Sequence, residues 1–347
     1  MKRWILGFAL LPTTVALPAR AADDGPGCAH AARLEVVAMG TQVRATICPR
    51  PSDADGSAAQ TATKTVADEF ARLEALWSSW RPGSDISRVN AAQGKAAAVA
   101  PETLALLRTA LLASKQSAGL FDVTFAPLGE VWQFDTPPGS HEPTRLRRVP
   151  TKPEVAARLA RVGWRHVVVG EKSGTLQLAR PGMALNLGGI GKGAAVDAAV
   201  ALLRRQGFID FAVQAGGDLY CAGHNGGRPW RVGIAHPRDK GKLLGLVLVR
   251  DAAFSTSGDY ERFAIIDGVR YHHILDLRTG WPATASQSAT VLAKSATDAE
   301  ILTKWAFIAG GQSGLDVLAG RGAKGVVVDS AGKVWTSNGL QVLPAGP

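Results

Sequence analysis

The 347-residue sequence predicts an α+β fold, with helices and strands mixed but not in the strict alternation of a doubly wound parallel sheet. Three observations carry this. Val66, Phe70, Leu73 and Trp77 recur at helical spacing. From His166 onward, short β-branched runs are separated by glycine and polar turns. Hydrophobic residues make up 46% of the chain, enough for one large core or two fused ones.

The elements follow in order. Residues 1–21 carry Lys2 and Arg3, an apolar run and then Ala19-Arg20-Ala21, the order of a secretory signal peptide. That run is too short to span a bilayer, and no later stretch reaches the needed length without Gly, Pro or charge. We therefore expect residues 22–347 to form a single soluble domain, periplasmic or otherwise extracytoplasmic. Residues 22–33 and 50–60 read as a loose leader and a loop around one strand, 34–48. A helix is expected from Thr63, with Asp68 and Arg72 pairing four apart, and a second from Pro101 through Leu104, Leu107 and Leu111. Pro137-Pro138-Gly139 opens a flexible loop that runs to Pro150. A short helix near Val155 precedes strands at 166–169 and 175–179, then a helix after Gly193 on which Val196, Val200 and Leu203 form an apolar stripe that excludes Asp197. Further strands are expected at 211–214, 230–235, 244–249, 271–275 and 289–293, then a helix over 299–309 and a last strand at 325–329.

The formal charge of +10 becomes +7 once Lys2, Arg3 and Arg20 are removed with the leader. Such a balance favours anionic ligands in general, but the basic residues are dispersed, and nucleic acid is not the expected partner. Cys28, Cys48 and Cys221 are too few for a disulfide scaffold. In an oxidising compartment Cys28 and Cys48 can pair, but the sequence leaves Cys28 open as disulfide-linked, lipidated or free. Gly25-Pro26-Gly27 is a poor match to the residues expected ahead of a lipidated cysteine.

The densest chemical signal is Asn186-Leu187-Gly188-Gly189-Ile190-Gly191-Lys192-Gly193, immediately before a helix. Glycines let backbone amides approach a ligand, a helix N-terminus attracts an anion, and Lys192 adds positive charge. The spacing fits neither a Walker A loop nor the dinucleotide fingerprint, so taken alone a tight turn is the better explanation of the run. A second cluster, Ser255-Thr256-Ser257-Gly258-Asp259-Tyr260 with His272, His273, Asp276 and Arg278-Thr279-Gly280, concentrates hydroxyls, imidazoles and carboxylates suited to proton transfer. In a strand, one of the two histidines must point away from the other. Gly119-Leu120-Phe121-Asp122 and Gly216-Gly217-Asp218 are lesser candidates, each explicable as a turn.

Read in order, these pieces resemble the ApbE family of FAD:protein FMN transferases. The matching stretches are Met39-Gly40-Thr41, Ser79-Trp80 with Ser84 to Asn90, Gly119 to Asp122, Asn186 to Gly193 with Asp197, and Gly216-Gly217-Asp218. They continue through Ser255 to Gly258, His273 to Asp276 with Thr279-Gly280, and Ala299-Glu300 to Gly310. The resemblance implies mixed sheets with packed helices and an FAD cleft between subregions. It also implies transfer of the FMN half of FAD to a Thr or Ser hydroxyl of an acceptor redox protein, with release of AMP. Met39, Trp80, Leu120, Phe121, Asp122, Asn186, Lys192 and Leu275 fall at positions where the family contacts FAD.

His273 falls on the histidine proposed to assist the nucleophile, with Asp276 placed to orient it. Gly189 falls where a backbone carbonyl binds Mg2+. The family's further metal oxygens come from an Asp and a Thr four residues later, and here those positions hold Glu300 and Lys304. A lysine ammonium has no lone pair to donate. Asp298 and Thr303 lie nearby, and Lys304 either stands in for part of the ion's charge or points to solvent. Two other activities stay open on this resemblance: an FAD-binding protein without catalysis, and an FAD pyrophosphatase yielding FMN and AMP. Membrane contact is expected only through a membrane-associated acceptor.

Overall fold

The computed structural model describes residues 28–53, 55–135, 145–146 and 148–345. The expected leader at 1–21 and most of the expected loop at 137–150 lie outside the described residues. The centre is an eight-stranded sheet: β1 Ala32–Ala38, β2 Thr41–Ile47, β3 Phe211–Ala215, β4 Asp218–Ala222, β5 Ala252–Gly258, β6 Ser286–Ala293, β7 Lys324–Asp329 and β8 Val334–Thr336. Each strand pairs antiparallel with the next in chain order, so the sheet is a meander whose long connections carry the rest of the molecule.

The segment expected as one strand over 34–48 is a hairpin. Met39 (φ 53°) and Gly40 (φ 69°) both take the left-handed conformation, which matches a two-residue turn to the twist of its strands. The polar run Ser255 to Gly258 is the end of a central strand, β5, and not a loop. Hydroxyl side chains there hide the strand from a hydrophobicity pattern. The expected strand 271–275 is broken into Val269–His272 and Leu275–Asp276, because His273 and Ile274 pair instead with Arg262 and Ala283.

Seven α-helices are described: α1 Ser57–Trp77, α2 Asp85–Ala91, α3 Pro101–Gln116, α4 Lys152–Leu159, α5 Gly191–Arg205, α6 Ala296–Ala309 and α7 Gly311–Ala319. α1 begins inside the segment expected as a loop, since Asp53 accepts the amides of Ala58 and Ala59 and closes its first turn. Arg72 pairs with Glu69 and Glu102, while Asp68 meets Lys64 at 2.7 Å, so the expected Asp68–Arg72 pair is not made. Asp85 is buried where it accepts the Ala100 amide (2.8 Å) and the Thr103 hydroxyl (2.6 Å), tying α2 to the start of α3.

Strand alternation divides the core into two faces. Phe211, Val213, Tyr220, Ala253 and Val327 pack under α1, α5, α6 and α7. Ala212, Leu219, Cys221, Phe254 and Val326 point the other way, beneath the hairpin Trp230–Ala235 and Leu243–Val249. Cys28 and Cys48 form a disulfide beside that second core, leaving Cys221 buried and free. A third cluster of Leu128, Trp132, Val155, Ala264 and Leu275 builds a wing around α4. Among the described residues, no helix is long and apolar enough to cross a membrane.

Candidate active site

The glycine-rich loop is held from both sides before it meets a ligand. Asn90 clamps Leu185, donating to its carbonyl at 3.0 Å and accepting its amide at 2.7 Å. The Asn186 amide donates to the Val123 carbonyl (2.8 Å), and its side-chain oxygen accepts the Gly188 amide (2.7 Å). α5 then starts at Gly191, three residues earlier than expected, with its N-terminus on the cleft. A Cβ at Gly193 would lie 2.4 Å from the Ala296 carbonyl oxygen, so the starts of α5 and α6 approach as only glycine permits. Asp197, one turn on, accepts the amides of Ala296 (2.8 Å) and Thr297 (2.9 Å) and the Thr297 hydroxyl (2.6 Å). Its place off the apolar stripe is therefore the cap of a neighbouring helix.

The loop opens on a cleft of about 610 Å³, between the sheet and the wing. Its lining includes Met39, Trp80, Leu120, Phe121, Asp122, Asn186, Gly189, Lys192, His273, Leu275 and Lys304. Residues spread over most of the sequence thus converge on one cavity of the size that holds small ligands and cofactors. Trp80 stands at its mouth, 87% exposed. Asp122 is more enclosed: it accepts from Thr124 and from the Trp164 amide, and burial is the main influence raising its pKa. Its carboxylate organises the wall as much as it faces the cavity.

A four-charge cluster lies beneath the glycine loop. Glu300 is fully buried; its Oε1 accepts from the Lys192 ammonium and its Oε2 from the Gly193 amide at 2.7 Å. Lys192 Nζ also lies 3.2 Å from Asp218 Oδ2 and donates to the Gly188 carbonyl at 3.2 Å. Lys304 Nζ is 3.9 Å from Glu300 Oε1 and 3.4 Å from Thr303 Oγ1. Burial works to lower Lys192, but Asp218 and Glu300 outweigh it and hold its pKa above the ordinary value. Burial lowers Lys304 and raises Glu300, the latter helped by repulsion from Asp218.

The two histidines, on either side of the strand break, point to different surroundings. His272 is buried, its Nε2 2.8 Å from the Ala283 carbonyl and its ring edge-on to Phe307. His273 faces the cleft, with Nδ1 3.4 Å from the Arg262 carbonyl. A carbonyl only accepts, so this contact places the proton on Nδ1 and the lone pair on Nε2. His273 is exposed to the cleft, and the surrounding protein, then His272, Arg262 and Lys304, lower its pKa, which favours the neutral ring. Asp276 does not reach it. Its carboxylate accepts from Arg278 Nε at 2.9 Å and Nη2 at 2.7 Å, and it is absent from the cleft lining.

The donor set does not fit the magnesium site that the resemblance implies. Mg2+ demands near-octahedral oxygen ligands. Here both oxygens of Glu300 are taken by an ammonium and an amide, and position 304 brings a cation where a hydroxyl is expected. Thr303 does not compensate: it is buried, accepts from Ser257 and donates to the Glu300 carbonyl. Asp298 is engaged at the start of α6, where the Ser295 hydroxyl accepts its amide at 3.1 Å and donates to its carboxylate at 2.7 Å. Among the described residues, no group of three or more His, Cys, Asp or Glu side chains is placed to hold a metal ion. The Gly189 backbone remains on the cleft wall.

Sequence reasoning did not single out Glu261 and Arg262, which also line the cleft. They follow directly on the hydroxyl-rich run, and that adjacency was the available signal. Asp218 lay within a matching stretch, but its pairing with Lys192 and Ser255 requires three distant segments to meet.

The ApbE family profile matches residues 39–328. An FAD:protein FMN transferase of Vibrio cholerae serotype O1 is 31% identical over 324 residues, covering 91% of this chain and 90% of the relative. One from Treponema pallidum is 36% identical over 251 residues, 68% of each chain. The crystal structure of the ApbE protein from Thermotoga maritima superposes with a TM-score of 0.79 at 30% identity, covering 89% of this chain and 97% of that one. The flavin transferase ApbE from Vibrio cholerae gives 0.75 at 30% identity, covering 89% and 97%. Agreement of sequence and fold over nearly the whole described length places the chain in the ApbE family.

Proposed function

We propose that this protein is an FAD:protein FMN transferase acting outside the cytoplasm on a redox protein. The observation that carries the reading is an imidazole, His273, opening on the same cleft as the glycine loop and the N-terminus of α5. The loop and helix end suit the diphosphate bridge of FAD. An acceptor Thr or Ser hydroxyl attacks the FMN-side phosphorus, the bond to the AMP oxygen breaks, and His273 Nε2 takes the hydroxyl proton. FMN is left as a phosphoester on the acceptor, and AMP departs. The curated relatives carry the same activity in their names, which supports the reading. The Cys28–Cys48 disulfide supports an oxidising compartment, in line with the signal-peptide pattern of residues 1–21.

The test is incubation of the purified chain with FAD and a Thr-containing acceptor domain, followed by mass spectrometry of the acceptor and chromatography of the nucleotides. Covalent FMN with stoichiometric AMP is the expected result. Free FMN and AMP without modified acceptor would make the protein a pyrophosphatase, and intact bound FAD would make it a binding protein.

A further inference from the structure

Two ammonium groups, from the first turn of α5 and the third turn of α6, converge on a single sealed carboxylate oxygen, Glu300 Oε1. Their situations differ. Lys192 is spent on Glu300, Asp218 and the Gly188 carbonyl. Lys304 sits 3.9 Å from Glu300, beyond hydrogen-bond length, and among the described residues the hydrogen bond it donates goes to the Thr303 hydroxyl at 3.4 Å. It lines the cleft with 22% of its side chain exposed, so donors of an ammonium remain directed at whatever enters.

A dication at this spot would have to strip Lys192 from Glu300 and then sit beside two ammonium groups. Like-charge repulsion in a water-poor pocket opposes both steps. Resting on the FAD reading above, we propose that Lys304 is the cation that faces the diphosphate bridge, and that FAD binding and FMN transfer by this protein do not require a divalent metal. Glu300 is then a positioning residue: held by Lys192 and the Gly193 amide, it steers the Lys304 ammonium toward the mouth of α5, where the helix end adds its own partial positive charge.

The experiment measures FAD binding by flavin fluorescence in EDTA and in millimolar Mg2+, for the whole mature chain and for Lys304→Met and Lys304→Arg, with thermal melts as a check of folding. The wild-type Kd is expected to change less than about threefold between the two buffers. Lys304→Met, folded, is expected to bind about tenfold or more weakly in EDTA, the scale of one lost charge-assisted hydrogen bond. Lys304→Arg, which keeps the charge, is expected to stay near wild type and keeps the question answerable if Lys304→Met melts early. Wild-type binding that collapses in EDTA and returns with Mg2+ overturns the proposal, as does folded Lys304→Met binding FAD like wild type in EDTA. Loss of wild-type FAD binding in both buffers would instead remove the transferase reading itself.

Discussion

Asp276 turns its carboxylate onto the Arg278 guanidinium, 2.7 Å from Nη2, and not onto His273. The imidazole is oriented by the Arg262 backbone carbonyl instead. His273→Ala is therefore expected to lower the rate of FMN transfer about 10²–10⁴-fold, the usual cost of losing a general base, with FAD binding little changed. Asp276→Asn is expected to stay within about threefold of wild type, since no proton passes through it. Steady-state transfer kinetics on both variants separate the roles, and an Asp276→Asn rate as low as that of His273→Ala would restore a carboxylate–imidazole pair.

The pH dependence follows from the same imidazole. His273 has its pKa pushed down to about 3 by the surrounding protein and by His272, Arg262 and Lys304. Above that value it stays neutral in the folded protein and available as a base, so transfer should show no inflection from His273 between pH 5 and 7. For stability the sign is the reverse of a salt-bridged histidine. Between about pH 3 and the unfolded value of about 6.5, the unfolded chain binds the extra proton, so stability falls as pH drops through that window. His272, lowered chiefly by burial, acts in the same direction. Thermal melts from pH 7 to 4 should fall more steeply for wild type than for His273→Ala; parallel curves would contradict the assignment.

What the sequence made legible depended on how local the cause was. α3 could be read from Pro101 and its leucines, because a first-turn proline and one apolar stripe are sufficient within sixteen residues. The strand at Trp230–Ala235 was likewise placed by its own residues. β5 was not, since Ser255 bonds Asp218 and Ser257 bonds Thr303, and only those distant partners make hydroxyls acceptable in a buried strand. Ordered motifs found most of the cleft lining, yet they did not reveal what each carboxylate touches. Asp276 and Glu300 are both matched positions whose partners, Arg278 and Lys192, decide their roles. The start of α1 was hidden for a similar reason: its cap, Asp53, lies outside the helix in a stretch with loop composition.

Asp197 links α5 to the first turn of α6 through three accepted hydrogen bonds, two from amides that the helix cannot satisfy itself. Asp197→Ala is expected to cost about 2–4 kcal/mol, combining a lost helix cap with donors left unpaired in a mostly buried site. Asp197→Asn keeps one acceptor oxygen and should recover part of the loss. Urea denaturation followed by circular dichroism reads both values. A change for Asp197→Ala below about 0.5 kcal/mol, the level of a surface substitution, would mean the cap contributes nothing.

Trp80 is 87% exposed and yet lies at the mouth of the cleft, so the fold gains little from its ring while a planar ligand gains a stacking surface. Its position is set by Ser78, whose hydroxyl accepts the amides of Trp80 (3.1 Å) and Arg81 (3.2 Å) and holds the turn after α1. Trp80→Ala is expected to leave the melting temperature within about 1 °C, because almost no apolar area returns to water. FAD affinity should fall about five- to hundredfold, the range for one lost base–aromatic stack. Differential scanning fluorimetry and flavin titration on the same preparation measure both. Unchanged affinity would show that neither ring system of FAD rests on this side chain, and Trp80 would then belong to the surface that meets the acceptor.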